Sequence, residues 1–134
     1  MEKKRIRVAV GVIENGQDEI FICQRSGEQH QAGKWEYPGG KVEAGETTPQ
    51  ALARELAEEI GIEVQQCTPL LQIEHDYPDK SVLLDVWRVT AFAGLPYGRE
   101  GQPARWVARH ALREFDFPEA NQAITEMVMA MVMP

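Results

Sequence analysis

Residues 48–61 read TPQALARELAEEIG. Leu52, Ala53, Leu56, Ala57 and Ile60 recur at three- and four-residue intervals, so an amphipathic helix is predicted over 49–60. Thr48 offers an N-cap hydroxyl, and Pro49 suits the first helical position, where a missing N–H costs nothing. Gly61 is the matching stop, because it takes left-handed backbone without a Cβ clash. Glu55, Glu58 and Glu59 form a second stripe, roughly 120° around from the apolar one at 100° per residue. One face is therefore core and the other opens to a cleft.

The carboxylates work against their own helix. Like charges at i, i+4 cost about 0.2–0.5 kcal/mol per pair. Glu58 and Glu59 also meet the negative end of the helix dipole, at about 0.3–1 kcal/mol each. No lysine follows four residues on, and the basic neighbour is Arg54, four residues before Glu58. Broken local rules of this kind concentrate at functional sites. A hard divalent cation offsets the repulsion, and Mg²⁺ favours a few carboxylates completed by water and substrate phosphates.

Outward from this helix, the rest of the chain reads as a mixed sheet with helices over it. Residues 6–13 are apolar and β-branched and read as a buried strand. After the Glu14-Asn15-Gly16 turn, 19–25 (EIFICQR) reads as the hairpin partner. A loop covers 26–34, and 35–46 holds a short strand broken at Pro38-Gly39-Gly40, where glycine lets the backbone approach a ligand or metal. Two strand-like runs flank Pro78-Asp79-Lys80 as a hairpin. Residues 94–103 (GLPYGREGQP) are loop, 104–108 (ARWVA) a strand and 110–114 a single helical turn. A final amphipathic helix is expected from Pro118 to Met133, with Ala120, Ile124, Met127, Val128 and Met131 facing inward as core filler. The alternation of hairpins and helices implies an α/β domain occupying 1–134.

Composition narrows the function classes. The 134 residues are 43% hydrophobic and 26% charged, as in a soluble globular domain. No apolar run approaches the roughly 18 residues of a membrane span, and the basic-then-apolar start meets Glu14 before it resembles a leader peptide, so a cytoplasmic protein is expected. Cys23 and Cys67 stand apart without a CxxC pair and read as reduced thiols. The net charge of −7 makes a nucleic-acid polymer a poor partner. A polyanionic small molecule requires bridging cations. No Ser-His or Cys-His pattern suggests a covalent intermediate.

Gly40-x5-Glu46-x7-Arg54-Glu55-Leu56-x-Glu58-Glu59-x-Gly61-Ile62 resembles, at every defining position, the signature of the Nudix hydrolases. The stretches YPGGK (37–41), GREGQPARW (98–106), DFPEANQ (116–122) and the N-terminal RVAVGVI and EIFICQR extend the resemblance from about residue 5 to 125, toward members that hydrolyse 8-oxo-dGTP. The family fold is an α/β/α sandwich around a mixed sheet. The resemblance implies metal ligation by Glu55, Glu58, Glu59, Glu100 and the carbonyl of Gly39. Arg54 pairs with Glu46, which supports the loop. Glu55, with Glu100 as its rival, serves as general base. Mg²⁺ is the implied cofactor, with Mn²⁺ as substitute, and the substrate is a nucleoside triphosphate cleaved at the β-phosphorus.

Nucleotide contacts are implied for Arg25, His30, Glu36, Tyr37, Pro38, Gly39 and Asn121. An Asn amide suits 8-oxoguanine, whose N7 carries a proton that the amide oxygen accepts while the amide nitrogen donates to O6. Tyr37 departs from the phenylalanine of such members and is expected to bring a hydroxyl near the nucleotide. Lys80 and Asp85 also depart, around the 77–87 hairpin. A pyrimidine triphosphate such as CTP or a modified dCTP stays open as the substrate. A non-catalytic binding module is disfavoured by the complete set of glutamates. A monomer is expected.

Overall fold

The computed structural model describes residues 4–25 and 32–131. Its strands are β1 (Lys4–Ile13), β2 (Glu19–Gln24), β3 (Trp35–Glu36), β4 (Gly39–Lys41), β5 (Glu63–Asp76), β6 (Lys80–Ala93) and β7 (Ala104–Ala108). Helix α1 spans Thr48–Ile60 and α2 spans Glu119–Ala130, with a 3-10 segment at Arg109–Glu114 between β7 and α2.

The strands form two sheets, ordered β4-β1-β6-β5 and β3-β2-β7. The first is mixed: β1 runs parallel to β6, from Lys4 opposite Lys80 to Ile13 opposite Val89, and antiparallel to β4. The second is antiparallel. The expected β1–β2 hairpin does not form as a ladder; a single bridge joins Glu14 to Ile20 and β2 continues into the other sheet. The Asn15 side chain shapes that turn, its oxygen accepting from the N–H groups of Gln17 and Glu19. Asp18 follows at φ 61°, and the chain leaves the plane of β1. The hairpin around Pro78-Asp79 forms as expected, pairing β5 with β6.

Alternation along the strands sets the layers. Val10, Val12, Ile20 and Ile22 pack toward Ile124 and Val128 of α2. Ala9, Ile13, Phe21 and Cys23 pack toward Leu52, Leu56 and Ile60 of α1. Each helix thus covers its own face of the β layer. Gly11 sits beneath α1, where an added Cβ would lie 3.2 Å from Leu52 Cδ1.

Helix boundaries differ slightly from expectation. The N-cap is Thr47, not Thr48; its hydroxyl accepts from the Gln50 N–H while the Gln50 side chain accepts from the Thr47 N–H. This reciprocal box displaces the start by one residue. Gly61 ends α1 at φ 70° as anticipated, its N–H bonding the Leu56 carbonyl. Ala51 replaces Ala57 in the buried stripe, and Ala57 is exposed. In α2, Thr125 is buried, and Met127 turns outward at 40% exposure. The two thiols are unpaired. Among the described residues, no helix is long and apolar enough to cross a membrane.

Candidate functional site

The carboxylate face of α1 lies against β4. Gly39 and Gly40 pair with Val10 and Ala9 of β1, which fixes this short strand beside the helix. Glu59 Oε2 accepts the Gly39 N–H at 2.9 Å. A Cβ on Gly40 would lie 2.4 Å from the Glu55 carboxyl carbon. The two glycines therefore make room for the helix's own glutamates and for the strand pairing. Glu58 sits on the outer side of the helix, its side chain 58% exposed.

Arg54 organises the approach. It donates to both oxygens of Glu46, at 2.8 and 2.9 Å, and to Glu55 Oε1 at 2.7 Å. It also reaches the Lys41 carbonyl. The forked Arg–carboxylate geometry ties the 42–47 loop to the helix, and the Glu46 carboxyl, which also accepts from the Glu43 N–H, is drawn down to about 2.

The loop over 94–103 docks on the last turn of α1. Tyr97 N–H donates to the Ile60 carbonyl, Arg99 N–H to that of Glu59, and the Arg99 guanidinium to that of Ala57. These donors satisfy carbonyls that a helix leaves unpaired at its C-terminus. The cation that the helix dipole lacks within its own sequence comes from this loop.

The loop also delivers Glu100. Burial pushes the Glu59 carboxyl up to about 8, opposed by the Gly39 N–H and reinforced by the charges of Glu36, Glu55 and Glu100. Burial likewise raises Glu55, against the pull of Arg54 and with the push of Glu58 and Glu100. Glu36 is raised by burial and by Glu100, and opposed by Arg25, whose Nη1 lies 2.6 Å from Glu36 Oε1. Cys23 lies in the same field; burial first, then Glu59 and Glu36, push its thiol up to about 12, so it stays protonated.

The donors here are all oxygen, which suits a hard dication. Such an ion would neutralise the negative field that Glu36, Glu55, Glu59 and Glu100 build together. Among the described residues, no three carboxylate, His or Cys side chains converge closely enough to grip an ion as they stand. The reasons are visible: Glu55 leans on Arg54, Glu58 faces outward, and Gly39 meets Glu59 through its N–H.

A cleft of about 550 Å³ opens between the β5–β6 hairpin and the start of α2, lined by residues that include Arg25, His75, Tyr77, Leu84, Phe117 and Asn121. Arg25 thus borders the cleft and, through Glu36, the carboxylate cluster. Asn121 is in the first turn of α2, but Pro118 holds the N-cap position and no side chain caps this helix. Tyr37 does not present its hydroxyl to the cleft. It is 4% exposed, stacks on Phe117 at 5.0 Å and bonds Thr125. The Pro38 carbonyl is taken by the Gly11 N–H. His30 lies outside the described residues. Asp85 is buried, accepting from the Trp87 indole and held 3.9 Å from Arg7. Lys80 lies over the Tyr77 ring. Residue spacing did not single out Arg99, Gln102, His75 or Tyr77, since none belongs to the acidic helix or stands in a repeated pattern.

The NUDIX domain model matches residues 9–127. The 8-oxo-dGTP diphosphatase of Escherichia coli K12 is 44% identical over 121 residues, covering 90% of this chain and 94% of that protein. The CTP pyrophosphohydrolase of the same organism is 33% identical over 128 residues, covering 96% and 94%. A solved MutT structure, from work on the Aliivibrio salmonicida and Vibrio cholerae proteins, superposes with a TM-score of 0.84 at 45% identity, covering 95% of this chain and 98% of that one. A helix bearing the glutamates, a glycine strand beside it and a match across most of the chain lead to one assignment: this protein belongs to the Nudix family, with its α/β/α sandwich.

Proposed function

We propose that this protein hydrolyses 8-oxo-dGTP to the monophosphate and pyrophosphate, removing an oxidised nucleotide before it enters DNA. The observation that carries the reading is the linkage of two regions. The α1 carboxylates over Gly39-Gly40 connect, through the Glu36–Arg25 pair, to a cleft that holds Asn121. The 44% identical diphosphatase supports the same substrate.

Glu55, Glu58, Glu59, Glu100 and the Gly39 carbonyl are the oxygen donors available to Mg²⁺, with Mn²⁺ as substitute. When bound, the ion supplies charge neutralisation and a more acidic water. Water attacks the β-phosphorus, the bond to the bridging oxygen breaks and the nucleoside monophosphate departs. Glu55 takes the water's proton, with Glu100 as the alternative base; Arg54 holds Glu55 in place from the side. Positioning and charge account for most of the rate in such transfers.

Asn121 reads the base. Its amide oxygen accepts the N7–H that only the oxidised guanine carries, and ordinary guanine leaves a buried acceptor unpaired at about 1–3 kcal/mol. One such contact yields roughly 10–100-fold discrimination, so the surrounding cleft walls must add to it. The acidic surface favours a free nucleotide over a polymer. A monomer acting in the cytoplasm fits this reading.

The test is kcat/KM over 8-oxo-dGTP, dGTP and CTP for the wild type and Asn121→Ala. The wild type should prefer 8-oxo-dGTP, and the variant should lose most of that preference. An unchanged ratio removes Asn121 from base recognition. A wild-type preference for CTP supports the second reading, which the 33% identical CTP pyrophosphohydrolase favours.

A further inference from the structure

Gln102 joins the main chains of two of the glutamates. Its amide nitrogen donates to the Glu59 carbonyl at 3.0 Å, and its amide oxygen accepts the Glu100 N–H at 2.9 Å. One planar carboxamide therefore spans the gap between the end of α1 and the loop, using a donor on one side and an acceptor on the other. The loop is built to allow this. A Cβ on Gly98 would lie 1.9 Å from the Gln102 carbonyl oxygen, so the loop closes tightly on itself there. Gly101, at φ 87°, turns the chain between Glu100 and Gln102, and its N–H bonds the Gly98 carbonyl.

We infer that Gln102 is a positioning residue that sets Glu100 at a fixed distance from Glu59. The inference rests on the reading of these glutamates as the catalytic cluster. The Arg99 contacts hold the loop to the helix end, and among the described residues it is the Gln102 side chain that hydrogen-bonds the main chain of the residue carrying the carboxylate. Without it, Glu100 remains tethered nearby yet loses its register. Misplacing a catalytic group by about 1 Å costs up to roughly 100-fold in rate.

The test compares Gln102→Ala, Gln102→Glu, Glu100→Gln and the double variant Gln102→Ala/Glu100→Gln. Gln102→Ala should lower kcat about 10- to 100-fold with little change in KM. In metal-free protein it should also speed amide exchange at Glu100 at least about tenfold while leaving β1 amides protected. Gln102→Glu keeps the acceptor for the Glu100 N–H but loses the donor to Glu59, so it should retain more Glu100 protection than Gln102→Ala. Because Gln102 acts through Glu100, the double variant should be no slower than Glu100→Gln. Unchanged exchange at Glu100, or rate losses that multiply in the double variant, would overturn the inference alone. Full turnover in Glu100→Gln would instead remove Glu100 from the chemistry and take the inference with it.

Discussion

The hydroxyls of Tyr37 and Thr125 lie 2.6 Å apart in the core, and Thr125 in turn donates to the Asn121 carbonyl at 3.4 Å. With the Thr125 hydrogen so used, the Tyr37 hydroxyl is the donor of the pair. A residue flanking the glycine strand thereby steadies the helical turn that carries Asn121. Tyr37→Phe should cost about 1 kcal/mol, the net value of a buried hydrogen bond. Urea unfolding checks this: the midpoint should fall with the slope unchanged. Selectivity for the oxidised base should weaken less than in Asn121→Ala.

Neighbouring glycines should fail in different ways. At Gly39, with φ 156°, a Cβ would lie 1.9 Å from the Ala9 carbonyl oxygen, so Gly39→Ala should disrupt the β1–β4 pairing and lower Tm sharply. At Gly40 the obstruction is the movable end of Glu55, so Gly40→Ala should fold and lose activity by displacing that carboxylate. Thermal melts beside kcat measurements separate the two. Equal loss of Tm in both variants would contradict the assignment.

Glu46 makes a pH-dependent contribution to stability. Its folded-state pKa, about 2, lies below its ordinary 4.5. The stabilisation is therefore complete above pH 4.5 and disappears as pH falls through about 2. The Tm gap between wild type and Glu46→Gln should be widest at neutral pH and close toward pH 2. Because the pair is partly exposed, added salt should narrow the gap at neutral pH.

The three α1 glutamates should not be equivalent. Glu59 is bonded to Gly39 and Glu55 packs on Gly40, whereas Glu58 is largely exposed. Glu55→Gln and Glu59→Gln should each lower kcat by about 100-fold or more, the scale for removing one preorganised electrostatic group. Glu58→Gln should be milder. Chelation of divalent ions should abolish turnover in the wild type, and Mg²⁺ should restore it.

Much of this was legible in the residues, for identifiable reasons. The α1 helix announced itself through its apolar spacing and through Gly61, and its glutamates through the rules they broke. The one-residue error at Thr48 arose because two threonines precede Pro49 and only the Gln50 side chain decides between them. The partner of β1 was not legible: Asn15-Gly16 signals a turn equally well whether the next strand pairs back or crosses to another sheet. Met127 misled because hydrophobic spacing does not register a buried threonine such as Thr125. Tyr37 was placed at the nucleotide and Gln102 was passed over because their contacts reach main-chain or hydroxyl groups far along the chain, Glu59 and Thr125, which no local pattern encodes.

The parallel seam between β1 and β6 has a consequence for biosynthesis. When α1 emerges from the ribosome, β4 can already lie along β1, but the other side of β1 has no neighbour until Lys80–Ala93 has been made. The carboxylate helix is thus translated well before the floor beneath it is complete. Such a long-range pairing slows folding and leaves an apolar strand open meanwhile. Nascent chains arrested before residue 93 should therefore be protease-sensitive and inactive, although they already contain every glutamate of α1.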